Sequence, residues 1–199
     1  MKIYTKIGDN GYTKLYSGEK VPKNDPLVKA YGKIDTLISF LGFSKALIKS
    51  FIKSLKKYKI DHQICEIIEN IQLICFKLMT DLAGTNLENI ERINESDIQK
   101  IEEQIDKLWE EIKDLRNFVV PGNDIYSSSL HMARTTCREI EPLLVQAKQK
   151  YPINPLVLPM VNRISDLIFC LAVYLEKKIN QNLTVIKNNK KIVKEEYKK

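Results

Sequence analysis

At 199 residues, 44% hydrophobic and 29% charged, the chain has the size and apolar content of one soluble globular domain. Its net charge of +7 points to anionic partners, with much of the excess in Lys187 to Lys199, a stretch that reads as a frayed, solvated end. Two histidines and four cysteines without a Cys-x-x-Cys pair exclude a structural zinc site, and no apolar run of membrane-spanning length stands out.

Residues 1–24 are the glycine-punctuated part of the chain, with Lys6, Gly8, Asp9, Gly11, Thr13 and Lys14, then Gly18 and Lys23. Glycine lets a backbone approach an anion closely, and hydroxyls and lysines add donors. The stretch is neither a Walker A loop nor a Rossmann turn, because the glycine spacing of both is absent. An ordinary N-terminal loop or hairpin would share this composition.

Asp25-Pro26 reads as an N-cap followed by proline at the first helical position, opening a helix to about Ser50. Leu27, Tyr31, Ile34, Leu37, Ile38 and Leu41 form its apolar stripe, and Asp35 lies among them in want of an arginine partner. A second helix spans roughly Asp61 to Leu87, with isoleucines and leucines at helical spacing. Ser96-Asp97-Ile98-Gln99 reads as a capping box opening a third helix, with Trp109 as a core or edge anchor. Cys65, Cys75, Cys137 and Cys170 fall within apolar patterns and are expected as buried free thiols, which fits a reducing compartment.

Phe118-Val119-Val120-Pro121-Gly122 is an apolar run ending in a turn, and Asp124 can cap the helix that follows. On that helix Arg134, Arg138 and Glu141 stand at i, i+4 and i+7, so they share a face, with His131 one turn earlier. Leu130, Ala133, Cys137, Ile140 and Leu144 form the inward stripe, and Pro142 should bend or disturb the last turns. Taken alone, the arginine pair reads as a solvated face. The last helix begins near Pro155 or Pro159 and presents Asn162, Arg163 and Asp166 opposite its apolar stripe. The expected fold class is all-α: a five-helix bundle with a glycine-containing N-terminal loop.

Three separated segments together resemble one family. Tyr4 to Gly11 with Ala30-Tyr31-Gly32-Lys33-Ile34-Asp35, then Phe118 to Gly122 with Leu130 to Arg138, then Val161 to Phe169, resemble the trimeric ATP:cob(I)alamin adenosyltransferases. The resemblance covers residues 1 to 180, leaving 181–199 as a basic tail, and makes residues 1–24 an ATP loop. It implies transfer of the 5′-deoxyadenosyl group of ATP to the cobalt of cob(I)alamin, giving adenosylcobalamin and triphosphate. ATP, Mg²⁺ and cobalamin are the implied ligands.

By the same resemblance, Thr5, Lys6, Gly8, Asp9, Gly11, Thr13, Lys14 and Lys23 are nucleotide-binding positions of the loop. Arg138, Glu141 and Asn162 are nucleotide contacts on the helices, with Asn162 at the triphosphate or its Mg²⁺. Arg134 would pair with Asp35 at a subunit interface. Phe118 corresponds to the aromatic that displaces the corrinoid's lower ligand, leaving four-coordinate Co(II) that is easier to reduce, and Phe169 to a second wall of that pocket. Without the family, both phenylalanines read as core packing. Expected partners are two further copies of the chain, ATP and the corrinoid, then a reductase and a cobalamin-dependent acceptor enzyme; neither nucleic acid nor membrane is expected. The expected compartment is cytoplasmic, or mitochondrial where a targeting segment precedes the sequence.

The chain departs from the family pattern at Glu139, where arginine is usual, and at Ile7, Asn123 and Pro142. Glu139 would either weaken triphosphate binding or, about 100° around the helix from Arg138, point to a partner lysine. This motivates an alternative expectation, a delivery protein that binds ATP and cobalamin but transfers poorly. A basic nucleic-acid binder acting through the lysine tail is a more distant reading.

Overall fold

The computed structural model describes residues 3, 4, 6, 8–54, 63–84, 90–113, 115–187 and 191–196. A two-stranded hairpin comes first, β1 (Tyr12–Lys14) paired antiparallel with β2 (Lys20–Pro22). Helices α1 (Pro26–Ser54), α2 (Gln63–Ala83) and α3 (Glu95–Ile112) follow. A short strand β3 (Phe118–Val119) then leads into α4 (Ile125–Ala147) and α5 (Val157–Asn180). The chain ends in strands β4 (Asn182–Lys187) and β5 (Lys191–Glu196).

Helical periodicity decides the bundle. Leu27, Ile34, Leu37, Leu41 and Ile48 of α1 are buried, and so are Leu130, Ala133, Cys137, Ile140 and Leu144 of α4. Helix α4 packs between α1 and α5, with α3 on α5 and α2 on α1. Two contacts fix the direction of α1 against α4: the Phe51 and Tyr126 rings lie 4.4 Å apart, and at the other end Tyr151 Oη donates to Asp25 at 3.1 Å. The pair is therefore antiparallel. Asp25 also caps α1, accepting from Leu27 N–H at 2.9 Å.

Several expectations are corrected. The cap of α3 is Asn94 rather than Ser96: Asn94 accepts from Asp97 N–H, and the Asp97 carboxylate accepts from Asn94 N–H. Either residue could cap in principle, but only Asn94 has its acidic reciprocal partner three positions on. Helix α1 runs one turn beyond Ser50, and α4 continues through Pro142 to Ala147. The second helix lies within the expected Asp61 to Leu87, though both of those ends fall outside the described residues. Helix α5 is long and apolar enough to cross a membrane by length and composition, yet most of it is buried in the bundle. All four cysteines are buried free thiols, as expected.

The lysine-rich end is not frayed over its described part. β5 pairs with β4, and β4 pairs with β3, giving a three-stranded antiparallel sheet in the order β3-β4-β5. Leu183 and Val185 alternate inward and are fully buried, which anchors the hairpin while the lysines stay outside.

Candidate functional site

The middle of α4 is held rigidly before any ligand is considered. Asp124 Oδ1 accepts from the N–H groups of Tyr126 and Ser127 at 2.9 and 2.8 Å, so the helix has a firm start. Midway along, the Cys137 thiol donates to the Val161 carbonyl at 3.4 Å, locking α4 to α5 at the level of Asn162. Burial, then the charges of Glu141 and Asp166, push that thiol up to about 12 while Arg138 pulls it down. Arg138, Glu141 and Asp166 therefore lie within electrostatic reach of one Cys137 side chain, beside Asn162.

Along this face Arg134 is half-buried, Arg138 exposed and Glu141 half-buried. Burial and the positive charge of Arg138 both push the Arg134 guanidinium below its ordinary value. Among the described residues neither arginine has a salt bridge within the chain. Two neighbouring cations with no ion pair of their own repel each other, an arrangement that an incoming anion relieves. Asn162, also half-buried, makes no side-chain hydrogen bond among the described residues, so its amide is available.

His131 sits beneath the row. Arg134 Nε donates to its Nδ1 at 3.4 Å, so the imidazole accepts and is neutral. Burial, then Arg134, pushes it down to about 4, against the opposing pull of Asp124. Its Nε2 is buried without a partner, and its ring lies 6.2 Å from that of Phe169. Phe169 is half-buried, whereas Phe118 on β3 is 78% exposed. An aromatic so exposed contributes little to the core; it is free to meet something outside the chain.

Glu139 is answered by the structure. It pairs with Lys33 of α1, so it turns away from the arginine row toward a lysine. Asp35, two residues on, is exposed and has no ion pair among the described residues.

The loop positions lie elsewhere. Gly11 (φ +82°) makes the turn that a side chain would strain, and its carbonyl accepts from Lys23 N–H at 2.9 Å. The Lys23 ammonium packs against Gly8, where an added Cβ would approach it to 3.0 Å. Lys6, Asp9 and Lys14 are exposed, Thr13 is half-buried, and Thr5 lies outside the described residues. Through Asp25 this loop is tied to Lys150 and Tyr151, at the far end of α4. Nine helical residues separate Arg138 from Ala147, about 14 Å along the axis. Within one chain the structure thus gathers Arg134, Arg138, Glu141 and Asn162, and no side-chain hydrogen bond or ion pair joins Lys14 or Lys23 to them.

Comparison with known proteins gives a consistent result. The family described as cobalamin adenosyltransferase matches residues 3–175. A corrinoid adenosyltransferase of Citrobacter freundii is 34% identical over 172 residues, covering 86% of this chain and 93% of the relative. A human corrinoid adenosyltransferase is 30% identical over 191 residues, covering 94% of this chain and 74% of the relative. Among solved structures, a variant PduO-type ATP:corrinoid adenosyltransferase from Lactobacillus reuteri, complexed with cobalamin and ATP, has TM-score 0.82 and 32% identity. It covers 94% of this chain and 100% of that one.

Proposed function

This chain belongs to the cobalamin adenosyltransferase family, and we propose on that footing that it transfers the 5′-deoxyadenosyl group of ATP to cob(I)alamin. It is an enzyme of the transferase class. In the reaction the reduced corrinoid supplies both electrons of the new carbon–cobalt bond. The C5′–O bond of ATP breaks, and the triphosphate leaves with the electron pair of the broken bond. The substrate is itself the nucleophile, so the protein needs no serine, cysteine or general base.

What the protein must do is position C5′ and stabilise charge on the departing triphosphate. Arg138 and Arg134 suit this, since guanidiniums stay charged and bind phosphate oxygens in pairs. The observation that carries the reading is this pair of adjacent arginines, neither of which forms an ion pair within its own chain among the described residues. Glu141 and Asn162 flank them as nucleotide contacts, and Thr5, Lys6, Gly8, Thr13 and Lys23 of the loop would complete the nucleotide site. Phe118 would displace the corrinoid's lower ligand, and Phe169 would wall the same pocket.

Mg²⁺ fits as an ion carried in with the nucleotide. Among the described residues no cluster of three or more His, Cys, Asp or Glu could hold it alone. The Asn162 amide oxygen and the Glu141 carboxylate are hard oxygen donors of the kind Mg²⁺ accepts alongside phosphates. When bound, the ion would supply further neutralisation of the triphosphate.

Because the loop is anchored away from the arginine row of its own chain, we read the site as shared between copies in a homotrimer. Arg134 would then find Asp35 of a neighbouring copy. A reductase and a cobalamin-dependent acceptor enzyme would stand upstream and downstream. The delivery-protein alternative rests on Glu139 and Ile7; the pairing of Glu139 with Lys33 weakens the first motive, and Ile7 lies outside the described residues. The test is a visible-spectrum assay with ATP, Mg²⁺, cobalamin and a strong reductant. Formation of the carbon–cobalt chromophore is expected; ATP binding without it would return the delivery reading.

A further inference from the structure

Glu176 is fully buried on α5, and no cation pairs with it among the described residues. Its Oε1 accepts from Thr184 N–H at 3.2 Å and from the Asn123 side-chain amide at 3.3 Å, while Oε2 is buried without a partner. Burial, and secondarily Asp124, raise this carboxyl above the usual range, against the bonds from Thr184 and Asn123. A leucine would fill such a position at lower cost if packing were the whole task. What Glu176 holds is therefore informative.

It holds both ends of the segment between β3 and α4. The Thr184 carbonyl accepts from Val120 N–H at 2.7 Å, so one carboxyl oxygen, one β4 residue and Val120 form a chain ending two residues from Phe118. β3 has only two residues, and a strand that short keeps no orientation by itself. At the other end Asn123 also donates to Asn182 Oδ1 at 3.0 Å, and Asn180 donates to Asp124 Oδ2 at 2.8 Å, on the residue that caps α4. The exposed ring of Phe118 and the start of the arginine helix are thus fixed by a common polar cluster.

We propose that Glu176 is a positioning residue for Phe118: it clamps β4 and the turn before α4 so that the ring stands out from β3 at a set angle. This rests on reading Phe118 as the group that meets the corrinoid's lower face. The acceptor at Oε1 is what the clamp requires, so Glu176→Gln keeps it and Glu176→Leu removes it.

The experiment compares these variants by amide hydrogen exchange, by the absorption of four-coordinate cob(II)alamin with ATP bound, and by steady-state kinetics. In Glu176→Leu the amides of Val120 and Thr184 should exchange about tenfold faster. The kcat should fall about tenfold with KM for ATP within about twofold, and the four-coordinate signal should weaken. Glu176→Gln should restore all three. Unchanged exchange in Glu176→Leu, or equal losses in both variants, would overturn the clamp. Should Glu176→Leu not fold, Asn123→Ala decides: a smaller change in the same direction supports the clamp, and none refutes it. If the wild type forms no carbon–cobalt bond, the functional reading fails while the exchange data still decide the clamp.

Discussion

Helix α4 begins in a polar cluster that the chain completes itself and continues into an arginine row that it leaves open. At the start, Asp124 accepts from two backbone N–H groups and from Ser127 and Asn180, with Asn123, Asn182 and Glu176 bonded around it. Further along, Arg134 and Arg138 form no ion pair within their own chain among the described residues. Both regions contain strong polar groups at the helix surface. The first is a finished structural joint, whereas the second carries uncompensated charge of the kind a binding site keeps for its ligand.

The largest break in that contrast is Arg138→Ala. Adenosyl transfer should fall about a hundredfold or more, because one donor to developing anionic charge is lost. The melting temperature should not fall, since the repulsion with Arg134 is lifted; a drop in stability with activity retained would place Arg138 in a structural role.

Next comes His131, which joins the two regions. Its folded value of about 4 lies below the unfolded 6.5, so between those limits the unfolded chain binds more protons and acid removes stability. The contribution is fully present above pH 6.5 and amounts to about 3 kcal/mol lost by pH 4. Burial is the main cause of the low folded value, with Arg134 adding to it and Asp124 opposing it. Chemical denaturation of wild type and His131→Gln across this range should show the slope vanish in the variant; parallel curves would mean that His131 is not held neutral.

The smallest effect sharpens the comparison from outside the row. Glu139→Ala removes an exposed pair with Lys33 and should change stability by less than about 1 kcal/mol and activity by less than about threefold. A large gain in ATP affinity would show that Glu139 faces the triphosphate after all.

The five helices could be read from apolar spacing alone, because each has to bury one stripe, and Asp25 and Asp124 were visible as caps. The start of α3 was displaced by two residues because Asn94 and Ser96 both resemble caps, and only the reciprocal bond with Asp97 separates them. The C-terminal hairpin was hidden because a count of lysines outweighed the alternation of Leu183 and Val185. Of the candidate site, helical spacing puts Arg134, Arg138 and Glu141 on one face and Asn162 on a polar face. Their joint role comes only from the family resemblance, and a lysine partner for Glu139 is one of two alternatives there. Glu176 leaves little trace: one acidic residue at the end of an apolar run, followed by two lysines, gives no sign that it will bond Thr184 and Asn123. The loop and Asp35 could not be joined to the arginines by spacing, since such contacts would run between chains.

The proposed sharing of the site between chains can be tested directly by complementation. Lys23→Ala weakens the loop and Arg138→Ala the row, and each alone should be nearly inactive in adenosyl transfer. Mixed trimers assembled from equal amounts of the two should recover about a quarter of wild-type activity, because a quarter of the shared sites then combine an intact loop with an intact row. Verified mixed assemblies that stay as inactive as either parent would contradict a nucleotide site shared between subunits.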